Sequence, residues 1–373
     1  MKMKKLVLLL VYACWFVGGI CFFSSCQRQL DANEKIVKVS VDQADEEYLA
    51  SSFIRNYKII PLETNENCLL SSIDKIKKVN EKLFVLDRVN NAIFIFRESG
   101  EYLQSLFKVG NGPGEYVQIM DFDVEDDCLY VLDFPRQAVL KYNEDLSYEG
   151  MVKYRTMASQ FLISGEKIFL YNEPSGQKDD YRFSLIDKNG NYIENILPRE
   201  ELATYNYGGI DVFSKVNNIP FISPIYGNMI YSGDQFDQAC QICFSERTFP
   251  DGENIEEYDI SSPDFTYLLK EHFFVTDHHF IFSYGYDGNR CYAVYDREDD
   301  KMIAQGKIKN DLIENFRFFP RWGNGNLLIE EINPDLLYQY FPSLLNRKEL
   351  LELKIILLLF CMKQNSLEEM NKV

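Results

Sequence analysis

The residues best suited to chemistry lie in four short stretches. "GNGPGEY", Gly110 to Tyr116, packs three glycines and a proline into five positions, the composition of a loop that cradles phosphate. Such a loop must open onto a helix whose first amides face the anion. Here "VQIMDFDV" follows, with β-branched and aromatic residues, no helical stripe and no GK[ST]. The stretch therefore reads as a joint between two sheets: Pro113 sets one turn torsion, Gly110, Gly112 and Gly114 supply conformations other residues resist, and Glu115 and Tyr116 lead into the next strand. "DFDVEDD", Asp121 to Asp127, starts like a calcium loop, but Asp126 stands where glycine is required and Leu132 where the bidentate glutamate belongs. In a strand Asp121 and Asp123 share one face, which favours a structural or solvated role.

The histidines are His272, His278 and His279, all within "EHFFVTDHHF". Adjacent His278 and His279 in a strand point opposite ways, so at most one of them joins any site, whereas a metal needs convergence from several segments. "CQIC", Cys240 and Cys243, has redox spacing, but a redox pair starts a helix in an α/β unit and "YSGDQFDQACQICFSER" reads as turn then strand. The serine elbow GxSxG and the propeller sialidase pattern SxDxGxxW are both absent. These residues give no metal, no cofactor and no assigned catalytic group.

The elements that position them repeat. "LFVLDRVNNAIFIFRESGEYL" (83–103) and "LYVLDFPRQAVLKYNEDLSYE" (129–149) align at an offset of 46 residues, with Asp87 on Asp133. The bland reading of those two aspartates is a scaffold role, each capping the turn after its strand. Looser copies follow from 167, 228, 280 and 326, each beginning with a short aromatic or aliphatic strand. A period of roughly 40–50 residues, with about four strands per period, is the signature of a β-propeller. The sequence thus predicts an all-β, six-bladed propeller over 36–335. The early segments "IVKVSV" and "FIRNYKIIPLE" are expected to supply strands to the ring closure. A helix or strand extension fills 336–373: "LNRKELLELK" has helical amphipathicity, and "IILLLFCMK" reads as a closing strand, the end of a buried helix or an altered frame.

"YKIIPLETNENCLLSSIDKI" (57–76), the 83–103 repeat and "GNGPGEYVQIMDFDV" together resemble the six-bladed β-propeller lipoproteins of Bacteroidetes, relatives of the NHL-repeat propellers. The resemblance spans about residues 50–330. It implies the propeller, a lipid anchor and an outer-membrane or surface address, and it implies no activity.

The N-terminus agrees with export. Lys2, Lys4 and Lys5 precede an uncharged apolar run and a small pair before Cys26, the layout of a signal peptide over 1–25. "FSSC" resembles a lipoprotein box, with Phe23 in its leucine place, which makes Cys26 the lipid-bearing residue and 26–35 a tether. A retained transmembrane helix is the competing reading. Without residues 1–25 the chain keeps 57 acidic side chains against 39 less three basic ones, a balance of −21. That surface repels nucleic acid. The expectation is a lipid-anchored envelope protein binding a glycan, a peptide or another envelope protein; the alternative is a hydrolase or lyase with a metal or acids on the propeller axis.

Overall fold

Side-chain alternation decides the architecture. In Lys82–Asp87, Leu83 and Val85 enter one buried cluster while Phe84 and Leu86 enter another, so a single strand serves an interface on each face of its sheet. A sheet apolar on both faces must be covered on both, which a closed ring of sheets achieves. The computed structural model describes residues 35–362 apart from 176–179, 200–209, 226, 234, 251–252, 254, 261, 314–315 and 333–355. The expected signal peptide, Cys26 and the amphipathic segment at 345–354 lie outside the described residues.

Three short strands come first: β1 (Ile36–Lys38), β2 (Glu47–Leu49) and β3 (Ile54–Pro61). Blade one is β4 (Lys75–Val79), β5 (Lys82–Asp87), β6 (Ala92–Arg97) and β7 (Tyr102–Leu106). Blade two is β8 (Ile119–Glu125), β9 (Cys128–Asp133), β10 (Ala138–Tyr142) and β11 (Tyr148–Lys153). Blade three is β12 (Ala158–Ser164), β13 (Lys167–Asn172), β14 (Tyr181–Asp187) and β15 (Tyr192–Pro198). Blade four is β16 (Phe213–Val216), β17 (Ile219–Ile222), β18 (Met229–Ser232) and β19 (Asp237–Cys243). Blade five is β20 (Lys270–Val275), β21 (His279–Tyr286), β22 (Asn289–Asp296) and β23 (Lys301–Lys309). Blade six is β24 (Trp322–Asn324), β25 (Leu327–Ile332) and β26 (Ile356–Met362), with β3 outermost. The chain is an all-β, six-bladed propeller, and a buried apolar cluster fills the interface between each pair of neighbouring blades. No described helix is long and apolar enough to cross a membrane.

Three expectations need correction. The ring does not end at 335: β26 pairs with β25 on one side and β3 on the other, so "ILLLFCM" is a closing strand, and its apolar run is explained by packing on both faces. "IVKVSV" does not close the ring: β1 adds in parallel to β19 of blade four, and β2 to β23 of blade five. Both cover outer edges that would otherwise template aggregation. In blade four the copy read from 228 is the third strand; the second is β17, four residues with Pro220 inside, which lacks the sequence signal of a strand.

Candidate functional site

β4, β8 and β12 are the first strands of blades one to three, and none has a sheet neighbour on its axial side. Their edge amides need acceptors. Alternate residues of β8 supply them. Phe161 N donates to Asp121 Oδ2 at 3.0 Å, Ile163 N to Asp123 Oδ2 at 2.8 Å and Gly165 N to Glu125 Oε1 at 3.2 Å. The remaining oxygens of the two aspartates face blade one, with Lys75 Nζ 2.6 Å from Asp121 Oδ1 and Lys77 Nζ 2.5 Å from Asp123 Oδ1. From blade four, Lys215 Nζ lies 3.3 Å from Glu125 Oε1 and donates to Ile163 O at 2.9 Å.

This ladder ties four blades together around the axis. Burial opposes the charge on Asp123, but Lys77 and Lys215 outweigh it and hold its carboxyl below the usual range. Each aspartate oxygen already accepts a lysine or a backbone amide, while burial, with Asp211 nearby, raises the Asp121 carboxyl against the pull of Lys75. Among the described residues no group of three or more His, Cys, Asp or Glu side chains converges as a metal site. Sequence reasoning placed Asp121 and Asp123 on one face but missed Lys75 and Lys77. The available signal was the offset, because both lysines precede their aspartates by 46 residues, the repeat distance itself.

The glycine-rich stretch lies between β7 and β8. Arg136 holds it from below, donating to Glu115 O at 2.6 Å and to Gly110 O at 2.8 Å. The Glu115 carboxylate turns back to accept from Gly112 N at 2.7 Å, and a Cβ on Gly110 would stand 2.1 Å from its Oε2. Gly114 has φ +74°, and a Cβ there would meet Tyr148 Cβ at 2.7 Å. Only glycine suits that position. Tyr116 is wholly buried; its hydroxyl donates to Asn91 O at 2.9 Å and accepts from Lys108 N at 3.1 Å, and burial pushes the phenol up to about 12. Pro113 is exposed at the loop tip. No helix follows the loop, and the amides of Gly110, Gly112, Glu115 and Tyr116 donate to protein acceptors.

Asp87 and Asp133 are fully buried beside the loops that enter their blades. Asp87 accepts from Ser71 N at 2.6 Å and from Asn90 N, in the turn after β5, at 2.8 Å. Asp133 accepts from Val117 N at 2.9 Å and pairs with Arg136 at 3.5 Å. The expected turn cap therefore describes Asp87; Asp133 anchors the preceding loop instead. The histidines do not converge: His279 is buried against Thr276, His278 pairs with Glu298 at 3.0 Å and His272 sits on β20. Cys240 is buried and Cys243 half-buried on β19, neither of them in a disulfide.

The loops entering blades one and two carry the least expected feature. Leu69, Val89, Phe107, Val109 and Val117 are 47, 73, 65, 50 and 37% exposed. Their segments are stitched side by side. Asn90 Nδ2 donates to Leu69 O, Asn91 Nδ2 to Val117 O, and Val109 bridges Tyr116. These bonds bring together the loop segments that carry the five exposed apolar side chains, beside the glycine-rich joint.

A family model described as a domain of unknown function, DUF4934, matches residues 35–358. The chain belongs to that family. The match runs from the first described residue to the first three residues of β26. Among solved structures, a Bacteroides fragilis protein described as exported is similar at 19% identity, with a TM-score of 0.68, covering 88% of this chain and 100% of that one. A Bacteroides vulgatus member of another family of unknown function, DUF4221, is similar at 13% identity and a TM-score of 0.52, covering 84% and 98%. At these identities the likeness speaks for the fold alone. No protein of curated function matches the sequence.

Proposed function

We propose that the chain is a non-catalytic docking protein of the cell envelope, exported, tethered to the membrane by lipid on Cys26, and engaging an envelope protein or peptide through the entry face of blades one and two. The exposed apolar patch carries this reading. Monomeric surfaces seldom leave five large apolar side chains together in water, and burying them against a partner gains about 25 cal/mol per Å² of apolar area. The patch stands on loops braced by Arg136, Asp87 and Asp133, and a rigid platform reduces the ordering cost of binding.

The competing reading, an axial hydrolase or lyase, loses its best acids to the ladder of Asp121, Asp123 and Glu125. A glycan partner has less support, because Trp322 is buried with its indole N–H directed at Asp74 O, 3.4 Å away. Two experiments test the proposal. On peptide and glycan arrays the full chain should retain peptides, and Phe107→Asp should remove that signal; retention of glycans alone would overturn it. Fatty-acid labelling in cells should vanish in Cys26→Ala, and persistent labelling would refute the anchor.

A further inference from the structure

The sequence holds three Asn–Gly pairs, Asn111–Gly112, Asn189–Gly190 and Asn324–Gly325. In such a pair the asparagine amide carbon lies within reach of the next backbone nitrogen, and glycine has no Cβ to shield that nitrogen. Attack of the nitrogen on the asparagine Cγ closes a five-membered succinimide ring. Two groups assist it: a base for the glycine N–H and a donor for the asparagine side-chain oxygen. Among the described residues only Asn111–Gly112 has both. Gly112 N donates to Glu115 Oε2 at 2.7 Å, and Arg136 Nη2 donates to Asn111 Oδ1 at 3.4 Å. Arg136 is itself fixed, by its bonds to Glu115 O and Gly110 O and by Asp133 Oδ2, 3.5 Å from its Nε. Asn111 is exposed, so water reaches the ring that forms there. The other two pairs lack the base: Gly190 N donates to the backbone carbonyl of Asp187, and no carboxylate accepts from Gly325 N among the described residues.

A glutamate is ionised at neutral pH. Glu115 therefore takes the Gly112 proton as the N–Cγ bond forms, and the negative charge that gathers on Asn111 Oδ1 faces the Arg136 guanidinium. The Cγ–Nδ2 bond then breaks, and Nδ2 leaves as ammonia with the proton that Glu115 carried. Water opens the succinimide at either of its carbonyls, leaving aspartate or isoaspartate at position 111. One water is consumed and one ammonia released, and nothing is oxidised or reduced. The product sets a carboxylate beside Arg136, which adds an ion pair to a joint that this arginine already holds.

We propose that Asn111–Gly112 is a site of self-catalysed deamidation, with Glu115 as the base and Arg136 as the partner of the developing oxyanion. The assignment is independent of the docking surface. Peptide mass spectrometry on the full chain incubated at neutral pH, folded and in urea, follows all three Asn–Gly pairs in one sample. In the folded chain Asn111 should convert first, about tenfold or more ahead of Asn189 and Asn324. In urea, where Glu115 and Arg136 are no longer held in place, the three rates should converge. Glu115→Gln, with its fold checked by a melting curve, should bring Asn111 down to the rate of the other two; the comparison of folded and unfolded parent chain stands without that variant. Conversion at Asn111 no faster than at Asn189 or Asn324 in the folded chain, the same lead persisting in urea, or an unchanged or higher rate in folded Glu115→Gln protein would overturn the proposal.

Discussion

At the level of single residues, this propeller uses charge where most cores use apolar contact. Asp121 and Asp123 each join a lysine of one blade to a backbone amide of another, and removing one member of such a pair leaves a buried charge, at a cost of roughly 3–5 kcal/mol. Glu330 on β25 shows the opposite case. Its Oε2 accepts from Phe319 N at 2.8 Å, and burial pushes its carboxyl up to about 8, against smaller opposing effects from that bond and from Arg317. An unfolded glutamate loses its proton near ~4.3, so between that pH and about 8 the folded state retains a proton that the unfolded state has released. Stability therefore falls as pH rises through that window. Glu330→Gln should match the parent's Tm near pH 4.5 and exceed it progressively up to pH 8; parallel Tm curves across the range would contradict this. Asp87 and Asp133 were legible from the repeat, since they occupy one position in two blades. The lysines were not, because "KIKKV" reads as a solvated strand until its register places Lys75 and Lys77 over the axis.

Elements were legible where a strand must satisfy two faces. β5, β9 and β13 are unbroken apolar runs, and their spacing gave the blade count. β17 was hidden by its length and its proline, and β26 by its separation from the rest of blade six. Both ends of the chain contribute to that blade: β3 from the N-terminal side and β26 from the C-terminal side flank one another through seven register pairs from Ile356↔Pro61 to Met362↔Ile54. A chain ending after Met362 should melt cooperatively near the parent's Tm. One ending at residue 335 loses β26, leaves facing edges on β25 and β3 unpaired, and should show lost cooperativity and aggregation by calorimetry and light scattering. Equal melting of the two truncations would mean that β26 does not close the ring.

Over the whole molecule, closure and edge protection account for most of the chain, and the proposed docking surface lies on what the loops leave exposed. β1 and β2 cap outer edges in parallel, and the axial ladder secures blades one to four. The glycine-rich joint was legible as architecture from its residue types. Its apolar rim was not, since Leu69, Val89, Phe107, Val109 and Val117 lie up to 48 positions apart in sequence and come together only through the Asn90 and Asn91 bonds. The most direct test of the docking assignment is site-specific photo-crosslinking in intact cells, with a benzophenone side chain at Phe107 and a control at Met151, which is 48% exposed on β11 of blade two. The docking account predicts one discrete protein adduct at Phe107, absent at Met151 and lost when Val89→Asp is added. No adduct at Phe107, or the same adduct at both positions, would contradict it.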